Sequence, residues 1–380
     1  MHIDSKLPDV GTTIFTLMSK MAAECGAINL SQGFPDFDTH PELIERVNVY
    51  MRRGFNQYAP MQGVPELRRR IADKTLRIYG ARVDPETEIT VTSGATEALF
   101  SAITAVVRPG DEVIVLEPAY DAYVPAVRLN QGIAVHLPLR FPDYRIDWQQ
   151  LAAKVTARTR LIILNSPHNP TGTVLDGDDI QALRDLSARH PFLILSDEVY
   201  EHIIFDGRRH ESMLRYPDLA ERSFVVSSFG KTYHTTGWKV GYCIAPRPLS
   251  VEFQKVRQFV TFSTNTPIQM AYADFMLQEE LFATLPDFYQ RKRDLFVQHL
   301  SAGRLRPLPC SGTYFVMVDY SPVSGLSDMR MAQELTRRYG VAAIPPSCFY
   351  RDGQDHHVLR FCFAKKDETL IQAAEILCRI

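Results

Sequence analysis

Short runs that are apolar at every position recur through the middle of the chain. Each has three or four residues, and β-branched or other apolar side chains fill all of them. Runs of this kind are typical of strands that are covered on both faces, as in a parallel sheet. The runs are residues 113–116, 161–164, 192–195 and 224–226.

Stretches with helical spacing alternate with these runs. Residues 96–107 follow a turn at Ser93 and Gly94, and they end before the helix-breaking pair Pro109–Gly110. Residues 178–188 follow Asp176, whose carboxylate can cap a helix. Strands that alternate with helices predict an α/β fold with a mostly parallel central sheet between layers of helices.

The pattern changes after about residue 280. A long charged helix is predicted at 287–300, a strand at 313–318, a helix at 328–339 and a strand at 358–361. This order is typical of a smaller α+β domain. We therefore expect a large domain over residues 41–280 and a small domain made of residues 1–40 and 281–380.

Composition narrows the classes of function. The 380 residues are 45% hydrophobic and 23% charged, as in ordinary globular proteins. A formal net charge of −2 gives no reason to expect a nucleic-acid or membrane partner. The chain has no basic-then-apolar leader pattern and no apolar stretch of ~18 residues. We therefore expect a cytoplasmic protein. Its six cysteines form no C-x-x-C pair, so we also expect reduced thiols and no metal site.

The most informative stretch for chemistry contains Lys231. A predicted strand ends near Val226, and a polar loop after it presents this lysine. Open α/β sheets bind ligands beyond the carboxyl ends of their strands. Although a lone loop lysine is usually a solvated charge, a buried one can form an imine with an aldehyde once its pKa falls. Ser228 and Lys239 flank Lys231 with a hydroxyl and a fixed cation, which suit a phosphate.

Two rival motifs can be excluded at this position. A phosphate-binding P-loop requires glycine five positions before Gly230, where this chain has Val225. The Ser228-x-x-Lys231 spacing is also that of acylating serine enzymes, but their companion S-D-N and K-T-G signatures are missing. Neither chemistry is therefore predicted.

Polar segments also follow neighbouring strands. Asn169 lies in a turn after the strand at 161–164, and Asp197 and Tyr200 follow the strand at 192–195. Each segment alone could be only a turn or a helix cap. Because carboxyl ends of parallel strands meet at one edge of a sheet, we expect these side chains to converge with Lys231.

Two further segments suit a planar ligand that carries a phosphate. The glycine turn at 92–95 leads into a helix N-terminus, whose free N–H groups and positive dipole favour a phosphate. Tyr120 and Tyr123 follow the strand at 113–116, and one of them could stack on a ring, although buried aromatic residues are more often core.

These motifs together resemble the fold-type I pyridoxal 5'-phosphate (PLP) enzymes of the aminotransferase class I and II family. The resemblance covers essentially the whole chain, from residues 29–36 to residues 359–365, with five motifs in the family's order. Within the family, the segments 56–61 and 227–241 are most similar to methionine and kynurenine aminotransferases. The family commonly has arginine where this chain has Lys239, so we expect a looser phosphate contact here.

The resemblance implies a role for each cofactor-binding residue. Lys231 would hold PLP as a Schiff base and later move the substrate's Cα proton. Asp197 would pair with the ring nitrogen, and Asn169 and Tyr200 would bind the ring oxygen. The remaining expected contacts are Tyr120 stacked on the ring, and Ala95, Thr96, Ser228, Lys239 and Tyr58 of a neighbouring subunit at the phosphate.

The resemblance also implies a substrate site. Arg360 would bind the substrate α-carboxylate as a two-pronged pair, assisted by Asn169. The apolar neighbours of Arg360 favour a partly buried arginine with an anionic partner, rather than an arginine exposed on an edge strand. Gly33 would let the backbone approach the same carboxylate.

The expected reaction is a ping-pong transamination in a homodimer, from an amino acid to a 2-oxo acid. Methionine is the first expected donor, followed by aromatic amino acids, histidine or kynurenine, because no second arginine for a dicarboxylate is evident. The alternatives are a PLP-dependent cysteine-conjugate β-lyase, a non-catalytic PLP-binding regulatory module, and a non-enzymatic α/β binding protein.

Overall fold

A computed structural model gives the structure of residues 3–278 and 280–380. The strands are β1 (Ile28–Asn29), β2 (Ile89–Thr92), β3 (Glu112–Glu117), β4 (Ile133–Pro138), β5 (Thr159–Asn165), β6 (Leu193–Asp197), β7 (Ser223–Ser228), β8 (Gly241–Ile244), β9 (Arg306–Pro307), β10 (Phe315–Asp319), β11 (Val341–Ala342) and β12 (Val358–Cys362). The helices are α1 (Ile14–Cys25), α2 (Pro41–Arg52), α3 (Pro65–Tyr79), α4 (Ala95–Val106), α5 (Tyr123–Leu129), α6 (Trp148–Lys154), α7 (Gly177–Ser187), α8 (Pro217–Ala220), α9 (Phe229–Thr232), α10 (Arg247–Val260), α11 (Thr266–Phe275), α12 (Glu280–Ala283), α13 (Leu285–Leu300), α14 (Asp328–Glu334) and α15 (Asp367–Leu377).

The predicted α/β architecture is confirmed. Seven strands form one sheet in the order β2-β8-β7-β6-β5-β3-β4. Neighbours from β7 to β4 are parallel, whereas β8 runs antiparallel to both β7 and β2. The four apolar runs lie in β3, β5, β6 and β7, and the helices predicted at 96–107 and 178–188 are α4 and α7. Asp176 caps α7, as its position predicted.

Both faces of the central sheet are covered, which explains why its strands are apolar throughout. Successive residues of a strand point to opposite faces. Ile162 and Leu164 of β5 therefore belong to the core on one side of the sheet, and Leu161 and Ile163 belong to the core on the other side. Polar groups are consequently concentrated at the ends of the strands.

The later part of the chain adds a second sheet, β12-β10-β9, which is antiparallel. Its core includes residues from both ends of the chain, such as Met18 and Leu377. The N-terminal strand β1 pairs in parallel with β11, which ties residues 28–29 to residues 341–342. The domain boundary expected near residue 280 adjoins Glu279, which with Met1 and His2 lies outside the described residues. The division into two domains stays a prediction.

One local expectation was wrong, and one predicted helix differs in type over its last turn. The segment after β7 is not a loop but the single-turn helix α9, in which Tyr233 N donates to Phe229 O, and this helix carries Lys231. The helix predicted at 328–339 is α14 followed by a π-helical turn at Leu335–Tyr339. No helix within residues 3–278 and 280–380 is long and apolar enough to cross a lipid bilayer.

Candidate active site

A cavity of about 240 Å³ lies where the carboxyl ends of β5, β6 and β7 meet the start of α4. Side chains from β12 and from the segment after β1 complete its wall. Every predicted site residue except Tyr58 lines it. These residues are Gly33, Ala95, Thr96, Tyr120, Asn169, Asp197, Tyr200, Ser228, Lys231, Lys239 and Arg360.

Lys231 projects into this cavity from α9. Its Nζ donates to the Tyr314 hydroxyl at 2.6 Å and to the Gly33 carbonyl oxygen at 3.3 Å. Burial lowers the pKa of Lys231 to about 8, and the charges of Lys239 and Arg360 act in the same direction. A lysine with this pKa has a substantial neutral fraction near neutral pH, which is the form that acts as a nucleophile or base.

Asp197 ends β6 and lies deep in the cavity wall. Burial raises the pKa of its carboxyl to about 6, while a hydrogen bond from Tyr123 acts against this rise. Tyr123 Oη donates to Asp197 Oδ2 at 2.7 Å, and Val199 N donates to Oδ1 at 3.3 Å. These two donors fix the carboxylate in one orientation, so that it can pair with one group of a ligand.

The start of α4 fits a phosphate group. Gly94 precedes the helix with φ 88°, and no side chain caps the N-terminus. A Cβ at Gly94 would come within 3.2 Å of Lys239 Cε and 3.4 Å of its Nζ. The absence of a side chain at Gly94 therefore lets the Lys239 ammonium group lie beside the helix N-terminus. Both the ammonium charge and the helix N-terminus attract an anion there.

Asn169 links the turn after β5 to the arginine on β12. Its backbone N–H donates to Asn165 Oδ1 at 2.8 Å, which holds the turn in place. Its Oδ1 accepts from Arg360 Nη1 at 2.9 Å. Tyr200 also lines the cavity and is buried, and its ring lies 5.4 Å from Lys231 Nζ.

Arg360 is only 1% exposed, although its strand lies at the edge of the small sheet. Its Nη2 donates to the Ser31 carbonyl oxygen at 2.8 Å, and its carbon Cζ lies 3.9 Å from the centre of the Phe315 ring. Within the described part of the chain, no carboxylate lies within 4.0 Å of its guanidinium and its Nε has no hydrogen-bond partner. The anionic partner expected from the sequence is therefore not supplied by these residues, and a ligand carboxylate fits the position.

Gly33 is tightly packed, whereas Tyr58 lies on the surface. A Cβ at Gly33 would lie 2.7 Å from Phe315 Cζ, so a larger residue does not fit there. The Gly33 carbonyl faces Lys231 and Tyr314. Tyr58 is 82% exposed and packs edge-on against Phe262, away from the cavity of its own chain. Its predicted role in a neighbouring subunit stays a prediction.

Sequence reasoning missed two tyrosines of the site. The sequence suggests Tyr123 only as one of two rings that could stack on a ligand, and it places Tyr314 in the strand predicted at 313–318. The available signal was a tyrosine inside a buried run, because a buried phenol oxygen generally requires a hydrogen-bond partner. The sequence did not identify those partners.

The comparisons with known proteins point to one family. A family model described as aminotransferase class I and II matches residues 26–377. The chain is 56% identical to the methionine aminotransferase of Escherichia coli (strain K12), covering 98% of this chain and 97% of that protein. It is 37% identical to a probable N-succinyldiaminopimelate aminotransferase of Mycobacterium tuberculosis, covering 97% and 96%. It is 35% identical to a kynurenine–oxoglutarate transaminase of Dictyostelium discoideum, covering 97% and 94%.

Solved structures extend the similarity to three dimensions. The crystal structure of Escherichia coli YbdL, described as having a methionine aminotransferase function, matches with a TM-score of 0.98 and 54% identity. The match covers 100% of both chains. The similarity therefore extends over the full length of the fold.

Proposed function

We propose a substrate and a cofactor for this chain, which belongs to the aminotransferase class I and II family and is a transaminase. It transfers the amino group of methionine to a 2-oxo acid, with PLP bound in the cavity around Lys231. The observation that carries the proposal is a pair of cations in one cavity. Lys231 has a lowered pKa, and Arg360 is buried without a carboxylate partner among the described residues.

The charged and aromatic groups that line the cavity suit PLP. When bound, PLP supplies an electron-withdrawing ring that stabilises negative charge at the substrate Cα. Lys231 would hold its aldehyde carbon, and Asp197 would keep the ring nitrogen protonated. The other proposed contacts are Asn169 and Tyr200 at the ring oxygen, Tyr120 on the ring face, and Ala95, Thr96, Ser228 and Lys239 at the phosphate.

The chain's own groups would orient the substrate and move its proton. Arg360 would bind the α-carboxylate through two parallel hydrogen bonds, which fixes the orientation of Cα. Lys231 Nζ in its neutral form would accept the Cα proton and later return it. Its pKa of about 8 lies close to working pH, which favours both directions of transfer.

Methionine as donor is supported by the apolar side of the cavity and by the relatives. Phe15 lines the cavity beside Arg360, with 5.2 Å from Arg360 Cζ to the ring centre. A thioether packs well against aromatic rings. The 56% identity is to an enzyme named for methionine, and the Dictyostelium discoideum relative is named for kynurenine, so aromatic donors belong in the same proposal.

We also propose that the active form is a homodimer. Tyr58 and Phe262 form an exposed aromatic pair, with ring centres 5.5 Å apart. An exposed aromatic pair of this kind is typical of an interface between chains. Tyr58 of one subunit would then reach the phosphate in the other.

The test joins cofactor trapping to a substrate panel. Borohydride should fix PLP to the purified protein, and peptide mass spectrometry should find the label on Lys231. With several 2-oxo acids as acceptors, methionine should give the highest kcat/KM among methionine, phenylalanine, histidine, kynurenine and N-succinyldiaminopimelate. No label, or no amino transfer, would refute the transaminase proposal. Release of pyruvate and ammonia from cysteine conjugates as the main reaction would favour the β-lyase alternative.

A further inference from the structure

The Tyr314 hydroxyl lies between Lys231 and Gly33. It is 2.6 Å from Lys231 Nζ and 2.5 Å from the Gly33 carbonyl oxygen. The tyrosine is 0% exposed. Its ring packs edge-on against Tyr200, with centres 5.1 Å apart, so the phenol is held by packing as well as by hydrogen bonds.

The direction of each hydrogen bond follows from the atoms involved. A carbonyl oxygen only accepts, so the single hydrogen of the Tyr314 hydroxyl goes to Gly33. The hydroxyl is therefore an acceptor towards Lys231. The Gly33 carbonyl is a second acceptor for the same nitrogen, at 3.3 Å.

Two acceptors occupy two of the three free positions on Lys231 Nζ. In the neutral amine, these two positions hold its two hydrogens, and the third holds the lone pair. In the ammonium form, the third position holds the extra proton. The two acceptors thus fix the direction of the one position that gains and loses a proton.

We propose that Tyr314 is a positioning residue that, with the Gly33 carbonyl, seats the free amine of Lys231 and aims its proton-exchanging position at the substrate. This inference rests on the proposed function. In the transfer, the Cα–H bond breaks, its electron pair stays with the substrate, and the proton bonds to the lone pair of Nζ. The return step reverses these changes.

The packing around Gly33 supports the inference that the acceptors for Lys231 Nζ are held in fixed positions. The Phe315 ring lies so close to Gly33 that a Cβ there would be 2.7 Å from Cζ. Gly33 is thereby packed against Phe315, while its carbonyl oxygen accepts a hydrogen bond from Tyr314. A lysine side chain rotates about four bonds, and without fixed acceptors its amine would occupy many positions.

The experiment compares Tyr314→Phe with Tyr289→Phe. Tyr289 is also 0% exposed, and its ring centre is 5.7 Å from that of Tyr314. Its hydroxyl has no hydrogen-bond partner within the described residues. Both changes remove one buried hydroxyl and keep the ring, but only the first removes a contact with Lys231.

We expect Tyr314→Phe to slow the amino-acid half-reaction about 100-fold, the size of effect that a small misplacement of a reacting group can cause. Deuterium at Cα should give a larger isotope effect than in wild type, because proton transfer becomes more limiting. In the PLP-free protein, Lys231 should react with an amine reagent at lower pH, since the ammonium form has lost an acceptor. Tyr289→Phe should match wild type in all three measurements.

Each result separates this inference from the proposed function. If wild type gives no borohydride adduct on Lys231, the proposed function fails. If wild type gives the adduct and Tyr314→Phe still matches wild type in rate, isotope effect and titration, only the positioning role is wrong. Should Tyr314→Phe not fold, 3-fluorotyrosine at position 314 keeps the ring and weakens the acceptor. It should shift the Lys231 titration in the same direction, and an unchanged titration would contradict the proposal.

Discussion

Tyr200 and Glu201 are neighbours in the chain but belong to two different buried polar groups. Tyr200 packs against Tyr314 and Lys231 in the cavity. Glu201 Oε1 accepts from Lys74 Nζ at 2.6 Å, on the other side of the segment. We call the second group the Lys74 cluster, which consists of Lys74, Tyr79, Glu201 and Tyr242, and the first the Lys231 cluster, which consists of Gly33, Asp197, Lys231, Tyr314 and Arg360.

The two clusters differ in how their charges are balanced. In the Lys74 cluster one cation meets one carboxylate, and the hydroxyls of Tyr79 and Tyr242 also donate to Glu201. In the Lys231 cluster two cations face one carboxyl group, and the pKa of that Asp197 carboxyl is raised to about 6. Removing one partner of a balanced buried pair destabilises the fold, whereas excess buried positive charge is suited to binding an anion.

The largest expected effects come from replacing each cluster's lysine by methionine. Lys74→Met leaves the buried Glu201 carboxylate without its cation, and we expect a loss of roughly 3–5 kcal/mol in the free energy of unfolding. Lys231→Met removes a cation that lacks a full partner, so the free energy of unfolding should stay near that of wild type. Turnover, however, should fall at least about 100-fold. Urea unfolding and steady-state kinetics measure the two quantities.

The comparison fails if the two variants behave alike. Equal losses of stability would mean that Lys231 is as much a structural residue as Lys74. Retained turnover in Lys231→Met would show that another group moves the proton.

A smaller effect is expected from Arg360→Lys, which keeps the positive charge of the Lys231 cluster but removes the planar two-pronged donor. Hydrogen bonds to charged groups contribute about 1.5–3 kcal/mol each, so kcat/KM for methionine should fall by roughly 10- to 100-fold. The control is Arg338→Lys, at a side chain that is 70% exposed, which should leave kcat/KM unchanged. A similar fall for a methionine analogue without its carboxylate would contradict the assigned contact.

The smallest expected effect is the loss in free energy of unfolding for each pH unit of acidification. Lys74 and burial act in opposite directions on Glu201, and the net result is a pKa well below the ordinary 4.5. This carboxylate therefore contributes stability above pH 4.5, and that contribution is lost as the pH falls further, because only the unfolded chain then takes up the proton. The loss should be about 1.4 kcal/mol per pH unit from this group.

Glu201→Gln isolates the contribution of this carboxylate from those of other acids. The variant should be less stable than wild type at pH 7, and the difference should shrink below pH 4.5. Urea unfolding at several pH values measures both curves. Parallel curves would mean that Glu201 titrates equally in the folded and unfolded chain.

Local patterns were enough to predict the central sheet and the residues at its strand ends. The strands β3, β5, β6 and β7 are apolar throughout because both faces are covered, and that property is visible in four consecutive letters. Asn169 and Lys231 follow β5 and β7, and Asp197 ends β6, which lies between those two strands in the sheet. Parallel order alone therefore brings them together.

Contacts between distant parts of the chain could not be predicted in the same way. Tyr314 and Gly33 are 281 residues apart, and Arg360 and Ser31 are 329 residues apart. No periodicity links such positions, because they meet only when β1 and β10–β12 pack beside the large sheet. Tyr123 was missed for another reason. The residue at which α5 begins decides whether Tyr120 or Tyr123 faces Asp197, and the sequence pattern does not define that residue.

The adjacency of Tyr200 and Glu201 limits how the length of this segment can change in evolution. Substitutions alter one cluster at a time, but deleting a single residue between Asp197 and Tyr200 would move Glu201 into the place that Tyr200 now holds. A carboxylate would then face Lys231, and Lys74 would lose its counter-ion. Changes in length should be tolerated better at places such as the exposed turn at 206–208, where neither cluster fixes the register.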